Sequence, residues 1–101
     1  MILELADIQI ISGKQAEFEQ AAAKGLATVV AHSEGFLGCE LKHSIESPDR
    51  YVLLIKWRTL EDHTVKFRGS PAYPQWRAHI SDYLAGPPNV EHFETVGSAV
   101  I

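Results

Sequence analysis

Cysteine is almost missing from this chain: Cys39 is the single thiol in 101 residues. One thiol cannot close a disulfide within the chain, and it excludes a multi-cysteine zinc or iron–sulfur site. Basic charge is also in short supply. Lys and Arg number 9 against 13 Asp and Glu, a net charge of -4, and no basic patch stands out, so nucleic acid is not expected as a partner. No stretch approaches the roughly 18 apolar residues that a membrane span needs. The opening "MILELADIQII" has neither the basic n-region nor the cleavage site of a signal peptide. These absences together predict a reduced, cytoplasmic protein with no membrane partner. Gly-x-Ser-x-Gly, P-loop and GxGxxG patterns are all missing, which leaves hydrolase, nucleotidase and nicotinamide-dependent readings without support. No two histidines stand at an HxxxH spacing, so no metal site is expected.

What is present is a regular alternation of elements in one domain over residues 1–101. "ILELADIQII" is rich in Ile and Leu and reads as a first strand. "KQAEFEQAAAKGLATVVAH" is dominated by helix formers, with Phe18, Ala22, Gly25 and Val29 on one stripe and Leu26 beside them. Gly35 stops it. "FLGCELKHSI" alternates through Leu37, Cys39, Leu41, His43 and Ile45, a second strand in which Cys39 reads as a small core residue. "ESPDR" is turn chemistry, and "YVLLIKW" is a nearly continuous apolar third strand. Thr59 is placed as a helix N-cap with Asp62 in a capping-box-like position. Leu60, His63 and Phe67 then share one helical face, and Gly69 ends the piece. Ser70-Pro71 opens a second helical piece with a mixed face of Tyr73, Trp76, Arg77, Ile80 and Leu84. "GPPN" breaks it, and "VEHFETV" is a last strand with His92 in register with Val90 and Val96.

The order β-α-β-β-α-β predicts an α+β, ferredoxin-like domain: a four-stranded antiparallel sheet with its helices on one face. That leaves a burial problem. The third strand is apolar on both faces, yet helices cover one. A second copy of the chain packed sheet to sheet is the simplest cover, so a homodimer is expected.

The blocks "EGFLGCELKHS", "YVLLIKWRTLEDH", "FRGSPAYPQWR" and "PPNVEHFETV", in that order, resemble the antibiotic biosynthesis monooxygenase (ABM) family over about residues 2–96. The resemblance implies a ferredoxin-like subunit that dimerises into an α+β barrel. It also implies oxidation of a small phenolic, quinol or polyketide-like aromatic by dioxygen without metal, flavin or haem. Trp57 matches a tryptophan that ends the third strand in the polyketide-oxidising members, and Arg77 matches a later arginine. Where those members carry a tyrosine six positions after the tryptophan, this chain has His63. Where they carry an asparagine on the third strand, it has Leu53. The haem-degrading members pair an asparagine on the first strand with an axial histidine on the later helix. Here those positions fall on Ala6 or Asp7 and near Arg77, with His79 two residues away, so the resemblance does not extend to haem degradation.

Cofactor-free oxygenation needs an apolar pocket, a base and a donor to oxyanion charge. His63, whose ordinary pKa lies close to neutrality, is the candidate base. Arg77 is the candidate oxyanion or peroxide contact, and Tyr73 a proton carrier. Trp57, Phe67 and Trp76 are candidate pocket walls, and His92 faces the cavity or the dimer seam. The alternative reading is a ligand-binding or stress-response dimer without turnover, for which the loss of asparagine at Leu53 speaks. A structural dimer with a filled cavity is the third.

Overall fold

A computed structural model of the protein describes residues 1–99. Strand β1 (Ile2–Gln9) leads to helix α1 (Gln15–Thr28), then β2 (Phe36–His43), β3 (Arg50–Trp57), a π-helical turn (Asp62–Phe67), helix α2 (Ala72–Ile80) and β4 (Asn89–Phe93). The strands form one antiparallel sheet in the order β2-β3-β1-β4. This is the expected ferredoxin-like arrangement, with β1 in the interior between β3 and β4. Among the described residues no helix is long and apolar enough to cross a membrane.

The pleat assigns side chains by alternation. Glu4, Ala6 and Ile8 of β1 and Tyr51, Leu53, Ile55 and Trp57 of β3 are buried on the helix-covered face. In β4, Val90 and His92 lie in the same rows, opposite Ala6 and Glu4. The helices contribute Phe18, Ala22 and Leu26 from α1 and Trp76 and Ile80 from α2. Gly25 is where the two helices meet closely: a Cβ there would stand 2.9 Å from the Trp76 indole. The small residue therefore sets how deeply Trp76 is seated.

Several boundaries differ from the sequence expectation. α1 gives way after Thr28 to a 3-10 turn at Val30–His32. Strand β2 stops at His43, where the Ser44 amide already closes the turn onto Arg50 O, so Ile45 is 93% exposed. Strand β4 ends at Phe93, which leaves Val96 outside the register with His92. The caps are as expected: Thr59 Oγ1 accepts from the Asp62 amide at 3.2 Å, and Ser70 Oγ from the Ala72 amide at 3.2 Å. The Asp62 carboxylate does not turn back to close a capping box. It is fully buried and takes two 3.1 Å bonds from Arg58. Pro74 sits in the first turn of α2, where its missing amide hydrogen has no intrahelical role.

Between Thr59 and Gly69 the chain departs from the α-helix that its sequence suggests. The Arg68 amide bonds His63 O, five residues back, at 3.1 Å. Such π-helical turns are uncommon and recur at functional sites. Two consequences follow. Leu60 leaves the inner face and is 39% exposed. Residues five apart, about 140° apart on an α-helix, are drawn toward one side, so His63, Phe67 and Arg68 all reach the interior space described next.

Candidate active site

Between the sheet and the helices lies a cavity of ≈ 260 Å³. Its floor is the sheet: Glu4, Ala6, Ile8, Leu53, Ile55 and Val90. The π-helical turn supplies His63, Phe67 and Arg68, and α2 supplies Tyr73, Trp76, Arg77 and Ile80. The wall is mostly apolar, with polar groups gathered at a few points, as small-molecule sites are.

One of those points is a line of four side chains. Glu4 sits on interior strand β1, with Ile55 directly across on β3 and His92 across on β4. Trp57 Nε1 donates to Glu4 Oε1 at 2.9 Å, and His63 Nε2 lies 3.2 Å from the same oxygen. His63 Nδ1 lies 2.7 Å from His92 Nε2. The indole of Trp57 stacks on the imidazole of His63 at 5.2 Å between centroids and 15° between planes. Glu4 and His63 are 5% and 3% exposed, so this is an acid–base pair held out of water.

Burial sets the charge states. It raises Glu4 above its ordinary 4.5, against the opposing effects of the Trp57 hydrogen bond and the Arg68 charge. Burial, assisted by the charges of Arg68 and His92, pulls His63 down to about 4. His92 is lowered in the same way, by burial first and then Arg68. At neutral pH both imidazoles are therefore uncharged, with one N–H each. Glu4 Oε1 accepts from Trp57, which places the His63 hydrogen on Nε2 and leaves Nδ1 to accept from His92. This pattern is the same whether or not Glu4 Oε2 carries a proton. No described residue hydrogen-bonds Oε2, so Glu4 can change protonation there without disturbing its partners.

The second polar point is cationic. Arg77 Nη1 donates to Tyr73 Oη at 3.2 Å, and Arg77 Nε is buried with no partner among the described residues. Arg68 also borders the cavity, from the solvent side.

The structure thus brings His63, Phe67, Tyr73, Trp76 and Arg77 to one cavity. Trp57, expected as a wall, stands behind it: it is 0% exposed and meets the cavity only through His63 and Phe67. His92 is likewise one step removed, against His63. His63, expected as a free base, has both ring nitrogens engaged. Sequence reasoning missed Glu4 and Arg68. Glu4 was signalled by being the one acid in the Ile2, Glu4, Ala6, Ile8 register; Arg68 had no signal, because only the π-helical turn brings it round. His79 packs against α1 at Gly25 and does not line the cavity. Among the described residues no group of three or more His, Cys, Asp or Glu side chains is arranged to hold a metal ion.

Comparison with known proteins agrees with this architecture. The model of the antibiotic biosynthesis monooxygenase family matches residues 1–79. The Bacillus subtilis (strain 168) protein YczJ, itself uncharacterized, is 38% identical over 96 residues, covering 95% of this chain and 100% of that protein. A Bordetella bronchiseptica structure assigned to the antibiotic biosynthesis monooxygenases superposes with a TM-score of 0.88 at 36% identity, covering 94% of this chain and 96% of the other. The fold is shared with a monooxygenase from the gene ActVA-Orf6 of Streptomyces coelicolor, solved with nanaomycin D bound. That structure has a TM-score of 0.84 at 18% identity, over 99% of this chain and 91% of that one. Element order, sheet topology and the match over most of the chain lead to one conclusion: this protein belongs to the antibiotic biosynthesis monooxygenase family.

Proposed function

We propose that this protein is a cofactor-independent monooxygenase that oxidises a small hydroxylated aromatic with dioxygen, as a homodimer with one cavity per subunit. The observation that carries the proposal is Glu4, a buried carboxylate with one oxygen fixed by Trp57 and His63 and the other without a partner among the described residues, facing a cavity that also holds cationic donors.

The chemistry follows from what such a site does. Glu4 Oε2 takes the proton of a phenolic hydroxyl, and desolvation gives this carboxylate a basicity closer to the need. The phenolate passes one electron to dioxygen, and the two radicals join in a carbon–oxygen bond at the para carbon. Loss of that carbon's proton and cleavage of the O–O bond leave a second carbonyl and release water. Overall, phenol plus dioxygen gives quinone plus water, with all four electrons supplied by the substrate. His63 holds and orients Glu4, and His92 holds His63. Tyr73, whose oxygen accepts from Arg77, offers its hydroxyl as a donor to oxyanion or peroxide charge, while Phe67 and Trp76 flank the ring.

Oxygen uptake on a panel of 1-naphthols and anthrones, corrected for spontaneous oxidation, tests this. Glu4→Gln is expected to lower the rate by about 10²-fold or more, as loss of a general base does, and His63→Ala also lowers it. Uptake at background level throughout, or a rate indifferent to both changes, would sink the proposal.

A second reading, a binding dimer without turnover, is favoured by Leu53. It lines the cavity floor, so that floor has no amide donor at this point. Saturable binding with no product by mass spectrometry would decide for it.

A further inference from the structure

The arginines of this chain are Arg50, Arg58, Arg68 and Arg77, and they divide by location. Arg50 forms a 2.7 Å ion pair with Asp7, and Arg58 forms one of 3.1 Å with Asp62. Both of those lie away from the cavity. Arg68 and Arg77 border the cavity, and among the described residues neither pairs with a carboxylate. Among the described residues Arg77 has only the Tyr73 hydroxyl as partner, and its Nε is buried and unsatisfied. An arginine cannot shed its proton to escape burial. Buried unsatisfied donors are rare in folded proteins and call for a partner. The chain has 13 acids and a net charge of -4, so carboxylates are not scarce. The cavity's own acid, Glu4, turns one oxygen to Trp57 and His63, and neither of its oxygens bonds Arg77 or Arg68.

Size narrows the ligand further. A cavity of about 150 Å³ holds a benzene ring, so the ≈ 260 Å³ here suits one ring or two fused rings.

We infer that the cavity takes a hydroxylated aromatic acid of one or two rings, its carboxylate held by Arg77 and Arg68. The hydroxyl end faces Glu4. That orientation rests on the oxygenase reading, whereas the anion site stands apart from it. Arg77 offers a planar fork to two carboxylate oxygens, and Arg68 supplies a second charge from the mouth. The arrangement discriminates against neutral aromatics because they leave Arg77 unpaired.

The test is anaerobic binding by calorimetry, so that turnover plays no part. The probes are 5-hydroxy-2-naphthoate, its methyl ester and anthracene-2-carboxylate. The acid is expected to bind roughly ten- to a hundredfold more tightly than the ester, as charge-assisted bonds allow. Arg77→Met and Arg68→Met each shrink that preference, while Arg77→Lys keeps part of it. Affinity for the acid falls as salt is raised from 20 to 500 mM (about a 25-fold range), and affinity for the ester does not. The three-ring acid binds more weakly than the two-ring acid. An ester bound as tightly as the acid would overturn the inference. So would a preference untouched by both methionine variants, no binding of the two-ring acid, or equal affinity for the three-ring acid. Should Arg77→Met fail to fold by circular dichroism, the Arg68 variant and the salt series decide. Tight acid binding without later oxygen uptake supports the anion site and counts against the oxygenase reading alone.

Discussion

At the scale of single residues, the coupled groups Glu4 and His63 make opposite contributions to stability as pH changes. His63 titrates near 4 in the folded protein against 6.5 in an exposed chain. The unfolded state therefore binds the proton first. The stability from a neutral His63 is complete above pH 6.5 and is lost as pH falls toward 4, by up to about 3 kcal/mol. Glu4 is raised above 4.5, so its folded form binds the proton first. Its burial costs stability when ionised, and that cost is relieved as pH falls through its folded value. Urea denaturation between about pH 7.5 and about pH 4.5 is expected to show a net fall. The fall flattens in His63→Gln and steepens in Glu4→Gln. An unchanged slope in both would mean that neither group titrates differently on folding. Rate profiles follow the same logic: the acid limb of turnover lies above the 4.5 of an ordinary glutamate and disappears in Glu4→Gln. This pair was half legible in the sequence. His63 was found because a histidine on an apolar helical face is conspicuous. Glu4 was passed over because the strand around it reads as nearly all apolar, and only the pleat shows that it points inward with Ala6 and Ile8. What no sequence reading supplied is that the two meet, 59 positions apart, on one carboxylate oxygen.

At the scale of elements, the strands and caps were legible and the π-helical turn was not. Alternation and β-branched runs mark β1, β2 and β3, and Thr59 and Ser70 are found as caps because their hydroxyls reach amides by local geometry alone. An added residue in a helical turn depends on what the turn must pack against, here Trp57 and the sheet, and leaves no local sign. The joint between β2 and this turn is set by Gly35. Its φ is 81°, and a Cβ there would collide with the buried Asp62 carboxylate. Its carbonyl accepts from the Arg58 amide at 2.8 Å. Gly35→Ala forces a left-handed conformation on an L-residue and displaces Asp62 at once. It is expected to cost at least about 1 kcal/mol, read as a lower urea midpoint. Because Asp62 begins the turn that carries His63, ligand affinity is expected to fall as well. Full affinity in a destabilised Gly35→Ala protein would show that the turn holds its place without this joint.

At the scale of the whole molecule, the remaining question is the sheet face that no helix covers. Leu5 of β1 stands opposite Leu54 of β3, both half-buried in the single chain. Leu3 and Val52 extend the patch, and Leu37 and Phe93 are 55% and 45% exposed at its margins. Charges ring it: Asp7, Glu40, Lys42, Arg50, Lys56 and Glu91 alternate with these residues along the strands. An apolar centre with a polar rim is the anatomy of an interface between protein surfaces. The rim carries both signs, which suits a two-fold contact in which the same patch meets itself. The cavity lies on the opposite face of the same sheet, so a change here tests assembly without touching the site. Leu54→Lys places a charge at the centre of the patch in each subunit. Burying two unpaired ammonium groups costs on the order of several kcal/mol, enough to dissociate a dimer at micromolar concentration. Sedimentation equilibrium is expected to give twice the 11.2 kDa chain mass for the natural protein and the single mass for the variant. A dimer that survives Leu54→Lys would place the interface elsewhere. A folded monomeric variant that still binds ligand would establish that each subunit's cavity is complete by itself.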